Sequence, residues 1–301
     1  MIPEFKNKTM AKILFNLFIL AIVLILFRIF TEKAYTKEGF TQIEKFVLKK
    51  DAQSYDDFYA QIYDSIHLPK SKTEVAEILK ITGADKHSTF LDVGSGTGST
   101  VNALTESGAK CIGIDKSDAM IAVAKEKYGN SIHIQKGDAT EPILFVRNQF
   151  SHILCLNQTI YEMSDKHAFF TNCRYWLKNG GVLAIHLVDK HKFNTVVPAG
   201  QPMFIDNPQK YVESRITKTE VDFNDFTYLA KYDIKSKEPS LFTETFTDAT
   251  TKNIRQNERV LYMDSEEDVL KIASRCGFSQ LGKINMDPIN SDEHQHIYIL
   301  T

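Results

Sequence analysis

Apolar and polar positions along this chain follow two rhythms, with a changeover near residue 190. Before it, short apolar runs alternate with stretches patterned at helical spacing. SYDDFYAQIYDSIH, 54–67, sets Tyr55, Phe58, Tyr59, Ile62 and Tyr63 close to one face of a helix. SKTE at 71–74 reads as a capping box, and Gly83 closes the helix that follows. TFLDV then reads as a short buried strand, TVNALTES as a helix stopped at Gly108, and KCIGID as a second strand. Ser117 caps a helix over SDAMIAVAKEKYG; SIHIQKGDA and FSHILCLN are the third and fourth strands. A helix starting at Ser164 runs to WLKNGG and delivers a fifth strand, VLAIHLVD. Strands alternating with helices of this length predict βαβ units and a parallel sheet.

After residue 190 the rhythm is different. Pro198, Pro202 and Pro208 mark an irregular connection. Alternation with period two follows: Tyr228, Ala230, Tyr232 and Ile234; Phe242 and Phe246; Ile254, Val260 and Tyr262. These predict antiparallel strands with one face buried, and no helix fits between 212 and 263. SEEDVLKIASRCG returns to a capped helix, and FSQLGKI and HIYILT are the last strands. An antiparallel insertion, about 200–263, therefore interrupts an α/β domain that resumes afterwards.

The N-terminus differs from both. ILFNLFILAIVLILFRIF, 13–30, is apolar except for Asn16 and Arg28. Spanning a bilayer takes about 20 apolar residues, range 17–25. No small-residue cleavage site follows, so the expectation is an uncleaved membrane anchor within residues 1–34, with a cleaved signal or a core helix as alternatives. Lysines and arginines are balanced on its two sides and do not set orientation. EGFTQIEKFVLKK, 38–50, reads as a juxtamembrane helix, which places anchor-proximal and lid helices over 35–87 and the main domain over 88–301.

Composition narrows the function. The 301 residues carry a net charge of −2 and no basic stripe, which argues against a nucleic-acid partner. Cys111, Cys155, Cys173 and Cys276 have no metal spacing and read as reduced thiols. The histidines form no zinc pattern, and His294 and His296 read as surface or packing residues.

FLDVGSGTGST, 90–100, is a strand, a glycine turn and a helix start: a general ligand cradle. A dinucleotide fingerprint would need glycine at 99, where Ser99 stands; a P-loop would need a lysine that is absent. Asp92, two residues before Gly94, would repel a pyrophosphate and suits a ligand with an amino or sulfonium group. With Gly94, Gly96 and Gly98 this stretch resembles motif I, LDxGxGxG, of the class I S-adenosylmethionine-dependent methyltransferases. The resemblance covers about residues 54–190 clearly and the last strands weakly. It implies a Rossmann-like seven-stranded sheet with S-adenosylmethionine as cofactor. It assigns Asp115 to the ribose hydroxyls and Asp138 of GDAT to the adenine amino group, and it counts Asn157, in CLNQTIYEM where the family's substrate-facing loop begins, among the cofactor-binding residues.

The tyrosine helix before motif I, together with the insertion after the fifth strand, resembles the small-molecule N-methyltransferase branch, including the glycine and amino-sugar enzymes. By position Tyr59 and Tyr63 become lid candidates, with a packed aromatic stripe as the alternative. On the acceptor side stand Gln158, Tyr161, His186 and Asp189. Tyr161 and His186 are the candidates for catalysis, although packing explains His186 as well. Residues 200–263 are expected to roof the acceptor pocket, their Phe223, Phe226, Tyr228 and Tyr232 reading as core. The implied activity is in-line transfer of a methyl group to a small-molecule amine, by a domain facing the cytoplasm. Other readings are a membrane-tethered scaffold, a protein or lipid acceptor, and aminopropyl transfer.

Overall fold

The computed structural model describes residues 12, 14–23, 42–202, 207–236 and 239–301. The chain divides after Ile43 into two units. In the first, residues 14–23 are helical, with Leu14, Phe15, Leu17, Phe18, Ile19, Leu20, Ile22 and Val23 exposed. Among the described residues no helix is long and apolar enough to cross a membrane. The rest of the expected 13–30 span lies outside the described residues.

The second unit, Glu44–Thr301, is built on two sheets. Strand β2 (Thr89–Val93) is buried on both faces and sits inside a seven-stranded sheet. Strands β3 (Lys110–Asp115) and β5 (Phe150–Cys155) flank it in parallel. Strand β4 (Ile134–Lys136) lies outside β3, and β6 (Leu177–Val188) outside β5, both parallel. Two late strands, β11 (Gln280–Asn285) and β12 (Gln295–Leu300), complete it, β12 running antiparallel between β6 and β11. The order is β11-β12-β6-β5-β2-β3-β4. This is the predicted α/β sheet with its late strands in place.

Helices cover the faces because their apolar stripes need a partner. Val75 and Ile78 of α2 (Ser71–Thr82) and Ala103 and Leu104 of α3 (Ser99–Glu106) pack against Phe90, Leu154, Ala184 and Ile297. On the other side of β3, Ile121 and Ala124 of α4 (Asp118–Tyr128) close over Ile134 and Val101. Ser117 caps α4 through Met120 N, and Gly83 ends α2 in the left-handed region. The capping box expected at 71–74 does not form: Lys70 is the N-cap, and Ser71 Oγ instead lies 2.9 Å from Ser99 Oγ. A contact to the neighbouring helix start replaces the local one. The remaining long helices are α5 (Lys166–Trp176) before β6 and α6 (Glu266–Arg275) before β11, the latter capped by Ser265.

The second sheet has the order β1-β10-β9-β8-β7. Its strands β7 (Lys218–Asp222), β8 (Phe226–Asp233), β9 (Ser240–Asp248) and β10 (Ile254–Leu261) are the expected antiparallel insertion. Two expectations are corrected here. Among the described residues of the expected 38–50 helix, 42–45 are irregular and the rest form strand β1 (Phe46–Lys50), which pairs in parallel with β10. Hydrogen bonding to an open sheet edge overrode the helical spacing of Phe46 and Val47. The buried face of β10 is also the opposite of the one expected: Arg255, Asn257, Arg259 and Leu261 are buried, whereas Ile254, Val260 and Tyr262 are half-buried. A strand shows alternate side chains to opposite faces, so a one-residue error in phase exchanges them all.

Candidate functional site

The glycine loop leaves β2 and turns into α3. Gly94 N and Ser95 N both donate to Ile114 O at 2.9 Å, tying the loop to the end of β3. Gly94, Gly96 and Gly98 all have positive φ (70°, 52° and 83°), the left-handed region where side chains are disfavoured. At Gly94 a Cβ would come within 2.5 Å of Thr159 Cγ2, so this glycine also allows close packing. A Cβ at Gly96 meets no protein atom within 4 Å, so the space beside it is open.

Asp115 ends β3 under this loop. Its Oδ2 accepts from Gly96 N and its Oδ1 from Ser117 N, both at 2.8 Å. Each oxygen keeps a further lone pair for a ligand hydroxyl. Burial pushes its carboxyl up, against the pull of these amides. Asp92 is 3% exposed and raised well above the carboxylate range by burial, then by the charges of Asp115 and Glu74. Glu74 of α2 is held up at about 7 by burial, against Lys70. Asp115 and Glu74 both oppose the ionisation of Asp92, which a cationic ligand would relieve. Glu74 escaped the sequence reading because it was counted as part of a cap; its acidity in the first turn of a helix gave no sign of burial.

Asp138 stands apart, half-buried after β4. Burial opposes its charge, but Lys116 at 2.8 Å and the Thr140 amide and hydroxyl bring it below the usual range. Tyr59 is fully buried in helix α1 (Asp57–His67), and its hydroxyl is committed to protein groups, donating to Glu244 Oε1 at 2.9 Å. Of the two lid candidates, only Tyr63 reaches a cavity.

That cavity, of about 210 Å³, opens beside the C-terminal ends of β5 and β6. Tyr63, Asn157, Gln158, Tyr161 and His186 line it, with Tyr232, Phe242, Arg259 and Leu261 from the second sheet opposite. Residues of the insertion thus roof it, and Tyr232, read as core, is half-buried and part of the lining. The lining does not include Gly94, Gly96, Gly98, Asp92, Asp115 or Asp138. Asn157 and Gln158 both have positive φ, 49° and 63°, in the turn that leaves β5. Tyr161 is fully buried: its hydroxyl accepts from Val188 N at 2.9 Å and lies 3.3 Å from Val188 O. Burial raises it above the ordinary phenol range, and its hydrogen bonds tie it to the end of β6. His186 is 4% exposed, and burial lowers it to about 4, leaving it neutral at pH 7. Asp189, just past β6, accepts from His191 N instead of facing this cavity.

A buried polar network behind Tyr59 was missed. Arg259 donates through Nη2 to Glu244 Oε2 at 2.8 Å and to Tyr59 OH at 3.0 Å, and through Nη1 to Tyr55 OH. Tyr228 OH donates to Glu244 Oε1 at 2.7 Å. The guanidinium carbon also lies 4.9 Å from the ring centres of Tyr55 and Phe242. Four residues earlier on the same face of β10, Arg255 grips the α1 N-cap Asp56 with two bonds of 2.9 Å. The tyrosine helix is thus fastened to the insertion by two arginines of β10. A signal for this existed: Phe242 and Phe246 put Glu244 on a buried face, where a carboxylate needs a cationic partner.

Among the described residues no group of three histidine, cysteine or acidic side chains is arranged to hold a metal ion. All four cysteines are free, Cys155 and Cys173 fully buried.

Residues 90–181 match the methyltransferase domain family. They span the glycine loop, Asp115, Asp138 and the turn after β5. This chain carries a methyltransferase domain. A ubiquinone biosynthesis O-methyltransferase of Nitrobacter winogradskyi is 33% identical over 105 residues, 34% of this chain and 39% of that protein. Its counterpart from Bradyrhizobium sp. is 28% identical over 109 residues, 34% and 40% of the two. The chain therefore spans about two-fifths of the length of the curated relatives it matches. Among solved structures, the CcbJ methyltransferase of Streptomyces caelestis superposes with a TM-score of 0.63 at 15% identity, covering 82% of this chain and 97% of that one. An S-adenosylmethionine-dependent methyltransferase from Clostridium acetobutylicum gives 0.61 at 16% identity, covering 81% and 97%. An amino pentose methyltransferase from Micromonospora echinaspora, solved with its cofactor bound, gives 0.56 at 18%, covering 81% and 96%. These likenesses extend the methyltransferase fold over both sheets of Glu44–Thr301.

Proposed function

We propose that this chain is an S-adenosylmethionine-dependent methyltransferase whose acceptor is a small molecule, an amine by preference. The observation that carries the cofactor is the junction of Gly96 and Asp115: an amide-braced carboxylate beneath a glycine whose Cβ side is open. Asp115 would take the ribose hydroxyls, and Asp92 with Glu74 would favour the positively charged end. Asp138, Asn157 and Tyr63 are the further contacts proposed. The bound cofactor supplies an electrophilic methyl group; the chain supplies alignment, which in well-oriented systems is worth up to about 7–11 kcal/mol.

The acceptor side is the cavity beneath the insertion. Its size falls below the usual 300–1,000 Å³ of drug-sized pockets, which favours a small acceptor. The amine reading draws on the amino pentose enzyme among the structural neighbours and on the carboxyl groups near the loop. The curated relatives are O-methyltransferases, matched over about a third of this chain, and do not choose between nitrogen and oxygen. Gly96→Ala tests the cofactor assignment. Its Cβ enters the open side, so affinity for S-adenosylhomocysteine, read by calorimetry, should fall about tenfold or more. Unchanged affinity would move the ligand elsewhere.

We also propose that residues 13–30 anchor the chain in a membrane, with the catalytic unit on the cytoplasmic side where the cofactor is made. Supporting this, the side chains from Leu14 to Val23 are apolar except for Asn16 and are exposed around the helix, as in a lipid-facing segment. Removal of residues 1–34 should release the remainder from membranes at neutral pH; continued sedimentation with them would refute the anchor.

A further inference from the structure

The acceptor cavity has a histidine whose protonation pattern is set by its neighbours. Asp292 is 1% exposed and accepts on both oxygens: Oδ2 from Asn194 N at 2.6 Å, Oδ1 from His294 N at 3.0 Å. A carboxylate that only accepts must be met by a donor, and Gln295 Nε2 donates to Oδ2 at 2.7 Å. That contact fixes which way the amide faces. Gln295 Oε1 is therefore turned to His186, 2.9 Å from its Nε2, and an oxygen acceptor requires the proton to sit on Nε2. Burial keeps the ring neutral. His186 Nδ1 is then a bare lone pair, and it has no hydrogen-bond partner among the described residues. His186 and Gln295 both line the cavity.

We propose that Asp292 and Gln295 are positioning residues that hold His186 as the Nε2–H tautomer, so that Nδ1 accepts a hydrogen bond from an N–H or O–H of the methyl acceptor. The inference rests on the cavity being the acceptor site. It narrows the acceptor to molecules that keep a donor hydrogen at or beside the atom to be methylated. A neutral imidazole here orients that atom; it does not need to strip a proton from it before attack. Asp292 and Gln295 belong to the segment from α7 (Asp287–Asn290) into β12, far along the chain from β6, and only the antiparallel pairing of Gln295 with Val188 brings them beside His186.

The test is nitrogen NMR of the full chain labelled with ¹⁵N-histidine, the His186 signals assigned by their loss in His186→Gln. The unaltered protein should show one protonated nitrogen, Nε2, and a bare Nδ1. Gln295→Met should turn this into a mixture of tautomers. Asp292→Asn, which frees the Gln295 amide to turn over, should do so if Gln295→Met does not fold. Proton on Nδ1 in the unaltered protein would overturn the proposal, as would a tautomer unaffected in the folded variants. With S-adenosylhomocysteine saturating, 2-aminoethanol should move the Nδ1 signal toward its hydrogen-bonded position, and 1,2-dimethoxyethane, which has no donor, should not. A response to both or to neither would refute the acceptor role. Calorimetry with S-adenosylhomocysteine on the same sample separates the two readings: absent binding defeats the methyltransferase proposal and leaves the tautomer result standing.

Discussion

The two sheets of this unit bury their polar groups in opposite ways. In the seven-stranded sheet the buried acidic groups gather at the C-terminal ends of strands: Asp92 and Asp115 beside the glycine loop. In the five-stranded sheet the charge lies mid-strand. Arg259 and Glu244 are 5% and 0% exposed, ringed by Tyr55, Tyr59, Tyr228 and Phe242. At a strand end backbone amides can reach a carboxylate, as Gly96 N and Ser117 N reach Asp115, whereas Asp92, 3% exposed, has its carboxyl raised by burial. Mid-sheet ions are stable only while every partner is present. The first arrangement leaves valence for a ligand; the second consumes it in joining the tyrosine helix to the roof.

The contrast predicts a large stability effect on one side. Glu244→Leu strands the Arg259 charge and should cost about 3–5 kcal/mol in denaturant unfolding. Glu244→Leu with Arg259→Met should recover much of that loss. A loss under about 1 kcal/mol for the single change would show that the ions are not interdependent.

Glu74 sharpens the comparison from the ligand side. Its folded carboxyl titrates at about 7, above the unfolded value, so the folded state binds the proton more tightly. Its contribution is present at low pH and is lost as pH rises from the carboxylate range through about 7. Glu74→Gln removes this dependence. Without ligand the variant should be the more stable above pH 7, by on the order of 2–3 kcal/mol, and should converge with the parent near pH 4. Parallel stability curves would contradict the raised carboxyl.

Asp115→Ala should weaken S-adenosylhomocysteine by about 1.5–3 kcal/mol, the worth of bonds to a charged group, with a smaller change in stability than Glu244→Leu. The smallest effect is expected at Tyr161→Phe. It frees Val188 N from its partner and should cost about 1 kcal/mol of stability while cofactor affinity stays the same. Loss of methyl transfer without loss of stability would return Tyr161 to the chemistry.

The same contrast explains what was legible beforehand. Motif I, Asp115 and the order of strands are local: each sits at the end of its own apolar run, so reading along the chain finds it. The β10 face was read one residue out of phase, because Ile254, Val260 and Tyr262 are apolar while the residues facing inward are Arg255, Asn257 and Arg259. Their compensation comes from elsewhere: Glu244 on the next strand, Asp56 and Tyr59 some 200 positions away. Strand β1 carries helical spacing along the chain, and the partner that makes it a strand, β10, lies equally far away. Gln295 and Asp292 gave no local signal at all; only the antiparallel return of β12 makes them neighbours of His186.

The most direct measurement is calorimetric titration of the chain from residue 35 onward with S-adenosylmethionine and with S-adenosylhomocysteine. A cofactor site at the glycine loop predicts one-to-one binding of both, lost in Asp115→Ala. No binding of either by a folded protein would contradict it and leave the methyltransferase fold serving as a scaffold.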